Sequence, residues 1–520
     1  TLSTMLDFTR IKTPPNHGDT LVVPHAGAWL EAARQNHRSL DACDTPLLGS
    51  TLSAWRRDTR RRILGRDDRL VIVTGHQPEF IHPGVWAKHV AAAAAAHAAG
   101  GVAVNLVVDG DAPKKTALAV PTVDAGGLTV RAVPFAAEPV GTTYEQFEPP
   151  TPQFAARFEQ DVHEAMGPRF ADSLMPVFFR TFGDPDSGRD WVDRAVAARR
   201  CIEAELGVVI EDRRVSTVWG GPILLDMLAS AGRFASCYNR ALAGYRRDQG
   251  IRGTQRPIPD LAVAAGRVEL PVWVCHDRPP RRRLLVADDR ESIELFADDT
   301  RVARLPRAAL LKDDGGATLT SALGRWHLRP RALALTLWAR LLLADLFVHG
   351  IGGAKYDRIS DAIIETYYGV APPHMACVSA TLHPGLPHDD VSDEVLRRLA
   401  HEIRDLTFNP QRHLPAGPDL AEALTQRAHA VARSLRLRKT EPRNRRARRA
   451  AYERIRQANA TLLQARPDVL EDMRARLTAA QRGQRQSRIA RGRDDFFGLY
   501  DRPALQRLIE ALPNAASFGV

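Results

Sequence analysis

Three short stretches of the 520-residue sequence combine chemically active side chains with glycines that let a ligand approach the backbone. The first is Thr74-Gly75-His76-Gln77-Pro78-Glu79-Phe80-Ile81-His82-Pro83-Gly84-Val85-Trp86-Ala87-Lys88. A strand end leading through small residues into a helix start turns backbone N–H groups, and the positive end of the helix dipole, toward a bound phosphate or carboxylate. There His76 and His82 are placed to donate to a developing negative charge. Lys88 adds a cation about one turn into the helix, and Thr74, Gly75 and Gln77 are the contact residues. In the plainer alternative, Pro78 and Pro83 shape a loop whose backbone the histidines satisfy.

The second stretch is Asp109-Gly110-Asp111, followed by Lys114 and Lys115. Carboxylates at a strand end hold a ribose hydroxyl, an amine or a hydrated Mg²⁺, and Gly110 permits a tight turn between them. A solvated turn is the alternative. The third is His349-Gly350-Ile351-Gly352-Gly353-Ala354-Lys355-Tyr356-Asp357. Gly350, Gly352 and Gly353 allow close backbone approach, with Lys355, Tyr356 and Asp357 supplying a cation, a ring and a carboxylate. Because the pattern places it after a helix, it is not a Rossmann GxGxxG. As a helix boundary, Gly350 would stop one helix and Asp357 would cap the next.

Elements of two periods must hold these stretches. Residues 70–73 and 102–108 are short apolar runs that read as strands, and 85–99 between them reads as a helix. Together they form a βαβ unit with its ligand-facing loops at the carboxyl ends of the strands. Helices are expected at 154–166, 191–205 and 223–241, and a hairpin joins 268–274 to 281–286. The core is expected to resume near 318, with one long helix over 331–347, a second over 357–368 and a strand at 375–381. Beyond 389, amphipathic patterns over 391–406, 420–435, 447–463 and 468–489 predict coiled-coil-like helices. The fold class is therefore mixed α/β: a Rossmann-like parallel sheet core, an α+β insertion and a C-terminal helical coiled-coil region. The divisions are 1–64 (N-terminal segment), 65–140 (first half of the core), 141–310 (insertion), 311–388 (second half) and 389–520 (helical region).

Composition excludes a disordered or fibrous chain: 44% of residues are hydrophobic and 26% charged. The net charge of +11 favours phosphate-rich partners, and much of the excess sits near the C-terminus. The arginine run over 443–449 reads as a solvated helix face, with contact to RNA as the alternative. Cys43, Cys201, Cys237, Cys275 and Cys377 are odd in number and form no CxxC pair. That spacing argues against a disulfide framework or a structural zinc site and favours a reducing, cytoplasmic setting. There is no HExxH or GxSxG, Cys275 with His276 reads as a core pair, and no metal ligands are assigned. No apolar run is long enough for a membrane span, and residues 1–7 lack a signal-peptide pattern.

Taken in order, the three stretches resemble the bacillithiol biosynthesis cysteine-adding enzyme family. That family's TGQQ-type segment, followed by a helix with a Tyr-Lys pair, is similar to Thr74-Gly75-His76-Gln77 leading to Trp86 and Lys88. Its acidic second strand end is similar to Asp109-Gly110-Asp111. Its later glycine-rich turn is similar to Gly350-Ile351-Gly352-Gly353 with Tyr356, preceded by Leu328-Arg329-Pro330. Here His76 stands where the family has Gln, Gly110 interrupts the acidic stretch, and His349 and Lys355 add basic groups. The resemblance implies a Rossmann-like core shaped like that of class I aminoacyl-tRNA synthetases, with a C-terminal coiled coil that mediates homodimerisation. It also implies a ligase joining an amino acid, cysteine in the family, to a small amine such as an amino sugar conjugate. ATP with Mg²⁺ is the candidate cofactor, although the chain has neither a P-loop nor a KMSKS-like loop. The alternative is an RNA- or nucleotide-binding protein that keeps a synthetase-like core and uses its basic helices as an arm.

Overall fold

Val71, Ile72 and Val73 have almost no exposed surface, as a strand covered on both faces requires. In the computed structural model, which describes residues 8–518 apart from 137, 140, 254, 278, 290, 313, 415 and 416, they open the second of six strands in a central sheet. The strands are β1 (Thr20–Val23), β2 (Val71–His76), β3 (Val102–Val107), β4 (Glu211–Arg214), β5 (Leu346–His349) and β6 (Met375–Ala380). Their spatial order is β1-β6-β5-β2-β3-β4, and every neighbouring pair is parallel except β1 with β6. The fold is thus mixed α/β with a mostly parallel sheet.

Five helices matter for the site: α1 (Trp29–Asp41), α2 (Leu52–Leu64), α3 (Pro83–Ala98), α4 (Ala332–Trp338) and α5 (Ile351–Ile363). The βαβ unit β2-α3-β3 forms where the sequence places it, with β2 reaching His76, beyond the expected end at residue 73. Around 331–368 the expectations need correction. The long helix expected over 331–347 is instead α4, a π-helical turn at Ala339–Leu343, and then strand β5. The run from Leu333 to Val348 is apolar almost throughout, and such a run carries no period to separate a buried helix from a buried strand. Gly350 does not stop a helix; it is the N-cap of α5. Asp357 is not a cap but a buried residue within α5.

Two other boundaries move. The helix expected over 223–241 breaks at Ser230 into Pro222–Ala229 and Ala231–Asp248. The core does not resume at 318: residues 318–321 lie in the helix Gly315–Leu323, and Leu328 lies on a strand, His327–Pro330, of a separate antiparallel sheet. That sheet includes the expected hairpin, Arg267–Cys275 with Arg282–Asp288.

The chain divides into two units. The first holds Thr1–Thr122, Val130–Pro384 and Arg493–Val520; the second holds Val123–Thr129 and Gly385–Gly492. The expected helical region 389–520 is therefore split, because Phe496, Phe497, Leu505 and Leu508 are buried in the core of the first unit. The second unit contains α6 (Asp393–Phe408), α7 (Ala421–Thr440), α8 (Arg445–Ala465) and α9 (Pro467–Ala490). Leu406, Leu420, Ala423 and Leu462 form a small core there, and Asn459 Nδ2 donates to the Phe408 carbonyl (2.9 Å). Among the described residues no helix is long and apolar enough to cross a membrane.

One ion cluster fixes the amino ends of β2 and β5. Asp345, fully buried just before β5, accepts from Arg56 (2.5 Å) and Arg60 (3.1 Å) of α2, from the Val71 N–H (2.7 Å), and pairs with His37 of α1 (3.1 Å). Burial alone would raise its carboxyl pKa, but the surrounding cations outweigh burial and hold it below the ordinary range. Asp345→Ala would remove the main partner of two buried guanidinium groups, leaving Arg56 only the Asp41 carboxylate 3.5 Å away. It is expected to lower unfolding free energy in urea by about 3–5 kcal/mol. A loss below about 1 kcal/mol would show that the cluster is not a clamp.

Candidate active site

A parallel sheet opens a crevice where successive connections leave in opposite directions, because the loops above two adjacent strands then part. Strands β2 and β5 are such a pair. From β2 the chain runs through α3 to β3 on one side; from β5 it runs through α5 to β6 on the other. The two helices belong to different buried clusters on the sheet: Trp86, Ala87 and Val90 of α3 share one with Ile72, whereas Ile359 and Ile363 of α5 share the other with Val71 and Val73. Above the carboxyl ends of β2 and β5 lies a cavity of about 870 Å³. Residues of all three chemically promising stretches line it: Gly75, His76, Gln77, His82 and Lys88; Asp111; and His349, Gly350, Gly352 and Gly353.

Lys88 is the strongest electrostatic feature of the wall. Only 4% exposed, it donates from Nζ to the Gly75 carbonyl (2.8 Å), and no carboxylate neutralises it among the described residues. Burial pushes its pKa down to about 8. Beside it, α5 starts at Gly350 with no side chain capping its first turn, so those N–H groups face the same space. The histidines take roles closer to the plainer alternative. His82 Nδ1 accepts from the Gly84 N–H (3.1 Å) and caps α3, which leaves a proton on Nε2. His76 Nδ1 lies 3.3 Å from the Gln77 carbonyl, to which it donates, so its Nε2 offers a lone pair and no proton. Burial, with the charge of Lys88, holds His76 well below the ordinary imidazole range, and burial takes His82 down to about 4, so both are neutral at neutral pH.

The two aspartates separate. Asp111 lines the cavity, accepting from Gln77 Nε2 (2.7 Å) and from Arg281. Asp109, expected to be catalytic, is fully buried outside it; Arg214 Nε (2.7 Å) and the Ser216 N–H (2.9 Å) and hydroxyl occupy its carboxylate. The pair therefore does not converge on one ligand. Thr74 is also structural, donating to the Val348 carbonyl (2.9 Å) and so tying β2 to β5. Lys355 and Tyr356 do not line the cavity, and Tyr356 is 42% exposed. Asp357 acts from behind: it accepts from Arg340 (2.7 Å), Thr336 (2.7 Å) and His349 Nε2 (3.0 Å), and despite burial the Arg340 guanidinium, with the His349 hydrogen bond, holds its carboxyl far below the usual range. Among the described residues no group of three or more His, Cys, Asp or Glu is placed to hold a metal ion.

The sequence is matched by no protein-family model and by no curated protein.

Several cavity residues carry no local sequence signal. Arg281 and Arg331 both place guanidinium groups over the Trp273 ring (4.5 and 4.1 Å to its centre), Arg281 paired with Asp111 and Arg331 with Glu269 (2.8 Å). Arg493, far beyond α3 in the chain, donates to the Ala380 carbonyl (3.1 Å) and Ser379 hydroxyl (3.3 Å). Residue 84 beside it is glycine, where a Cβ would lie 2.5 Å from Arg493 Nη2 and 2.7 Å from the Ala380 carbonyl oxygen. His349, at the tip of β5, is noticeable in sequence as an added basic group, but its position at a strand end is not.

The wall thus suits an anion that meets Lys88 and the first turn of α5. Only the ammonium form of Lys88 attracts it, so affinity is present below the lysine's pKa and lost above it. Binding of AMP, followed by calorimetry, is expected to weaken as pH rises through about 8, and to fall about tenfold (~1.4 kcal/mol) in Lys88→Met. Because Lys88→Met removes a buried charge, its melting temperature should match or exceed that of the wild type. Affinity that stays flat from pH 7 to 9.5 would contradict this role for Lys88.

Proposed function

We propose that this cavity is the active site of a ligase that forms a C–N bond between the activated carboxylate of an amino acid and a small amine. On this reading the chain is a divergent relative of the cysteine-adding enzymes of bacillithiol biosynthesis. Its parallel sheet is then a Rossmann-like core, its second unit carries the coiled coil through which a homodimer forms, and the protein is cytoplasmic. The observation that carries the reading is convergence: stretches separated by more than 200 residues line one cavity at the carboxyl ends of adjacent parallel strands. Sites in open α/β sheets occur at this position because the loops there part and helix N-termini point inward.

The cavity volume lies within the range of small-molecule sites, and its chemistry divides by side. Lys88, the Nε2–H of His82 and the first turn of α5 suit phosphate or carboxylate oxygens. Asp111, Gln77 and Arg281 form a hydrogen-bonded group suited to a hydroxyl- and amine-bearing acceptor. ATP fits as the activating substrate, its phosphates meeting a buried ammonium without a carboxylate partner; it supplies the energy that makes the carboxylate an acylating agent. Among the described residues no cysteine lines the cavity, and on this reading positioning and electrostatic stabilisation of developing charge provide the rate.

The test is a thermal-shift screen against ATP, AMP, amino acids and amino sugars, followed by mass spectrometry for an amide after incubation with ATP, cysteine and a glucosamine conjugate. A ligand at 100 times its Kd adds about 2.7 kcal/mol and raises the melting temperature of the wild type. Stabilisation lost in Lys88→Met, together with amide formation, is the expected result. If no small molecule stabilises the protein while a single-stranded RNA does, the function lies in the exposed run of Arg445, Arg446, Arg448 and Arg449 at the start of α8.

A further inference from the structure

We propose that His349 is the general base of this cavity, accepting the proton that the attacking amine loses; the identity of the nucleophile rests on the ligase reading above. Three observations place it. His349 ends β5 and lines the cavity while being only 5% exposed. Its Nε2 lies 3.0 Å from the Asp357 carboxylate, and a carboxylate beside that nitrogen fixes the proton on Nε2 and leaves the lone pair on Nδ1. Asp357 cannot take the proton itself, because the Arg340 guanidinium holds it as the anion.

Nδ1 has no hydrogen-bond partner among the described residues. It faces the first turn of α5, and Gly353 keeps that space open: a Cβ at residue 353 would lie 2.8 Å from Nδ1. An imidazole whose far nitrogen is oriented by a buried carboxylate, and whose near nitrogen opens on a ligand cavity, has the geometry of a general base. His76 and His82 are less suited. His82 spends its lone pair on the helix cap, and His76 has no carboxylate within hydrogen-bond distance to stabilise an imidazolium, since Glu79 stands 3.6 Å away.

In the step this assigns, the amine enters as the free base facing a mixed carboxylic–phosphoric anhydride formed from the amino acid and ATP. The nitrogen lone pair forms the C–N bond as an N–H proton passes to His349 Nδ1. The bond from the carbonyl carbon to the phosphoryl oxygen breaks, and its electron pair leaves with the phosphate. The imidazolium, stabilised by Asp357, then returns its proton to water.

The experiment compares wild type, His349→Ala and Gly353→Ala in the amide-forming assay, with the wild-type histidine ring nitrogens also observed by long-range ¹⁵N–¹H NMR. His349→Ala is expected to lose about 10²–10⁴-fold in kcat with the KM for the amine little changed, and to recover part of that loss with added imidazole. Gly353→Ala, which keeps the histidine but displaces it, should lose kcat as well. In the wild type, His349 Nδ1 should resonate as unprotonated and Nε2 as protonated. If amide forms and His349→Ala keeps more than a tenth of wild-type kcat, the base assignment is overturned and the ligase stands. If the wild type joins no carboxylate to an amine, the ligase fails; the ring spectrum then still decides the base, which a protonated Nδ1 overturns.

Discussion

The pairing of β2 with β5 is the constraint from which the rest of the site follows. It is a short parallel contact, Leu346 against Ile72 and Phe347 against Val73, between segments more than 250 residues apart. Parallel pairs this short need support at their ends, and both ends have it. At the amino end Asp345 gathers Arg56, Arg60 and the Val71 N–H around one buried carboxylate. At the carboxyl end the Thr74 hydroxyl reaches the Val348 carbonyl. Once the two strands lie side by side with connections leaving in opposite directions, a crevice above them is unavoidable. What fills its walls is whatever the sequence places at or just past the end of each strand: His76 and Gln77 at the end of β2, His349 and Gly350 at the end of β5.

The charges of the cavity follow from what the sheet buries. Lys88 stands on the first turns of α3, and α3 is pressed on the sheet by Trp86, which stacks on Phe497 from the end of the chain (4.7 Å between ring centres). The lysine therefore has nowhere to go but inward, and without a carboxylate it is a standing cost to the fold. Uncompensated buried charge of this kind is characteristic of ligand sites. Three of the nearby carboxylates are committed elsewhere: Asp109 to Arg214, Asp357 to Arg340 and His349, Asp111 to Gln77 and Arg281.

Much of the first half of the site is legible in the sequence because β2, α3 and β3 obey simple rules. The strands are short β-branched runs, Pro83 stands at the first position of the helix, and the polar residues cluster at the strand ends. The second half is not legible for an equally physical reason. Between Leu333 and Val348 nearly every residue is buried, so no alternation marks where helix ends and strand begins, and β5 is hidden in what reads as one helix. That single error displaces the role of Gly350, turns Asp357 from a cap into a buried anchor, and hides His349 as a strand-end residue. Asp109 and Asp111 look equivalent in sequence but differ in fate, since the first meets Arg214 and Ser216 and the second opens on the cavity. Arg493 and Arg281 reach the site only through tertiary structure, and nothing local announces them.

The central claim is that small substrates bind above β2 and β5. Hydrogen–deuterium exchange of the full chain, with and without ATP plus cysteine, tests it most directly. Slower exchange is expected at the amides of residues 76–88 and 349–356, with residues 393–490 unchanged. Protection confined to the arginine-rich start of α8, or no protection at either stretch, would contradict the placement of the site.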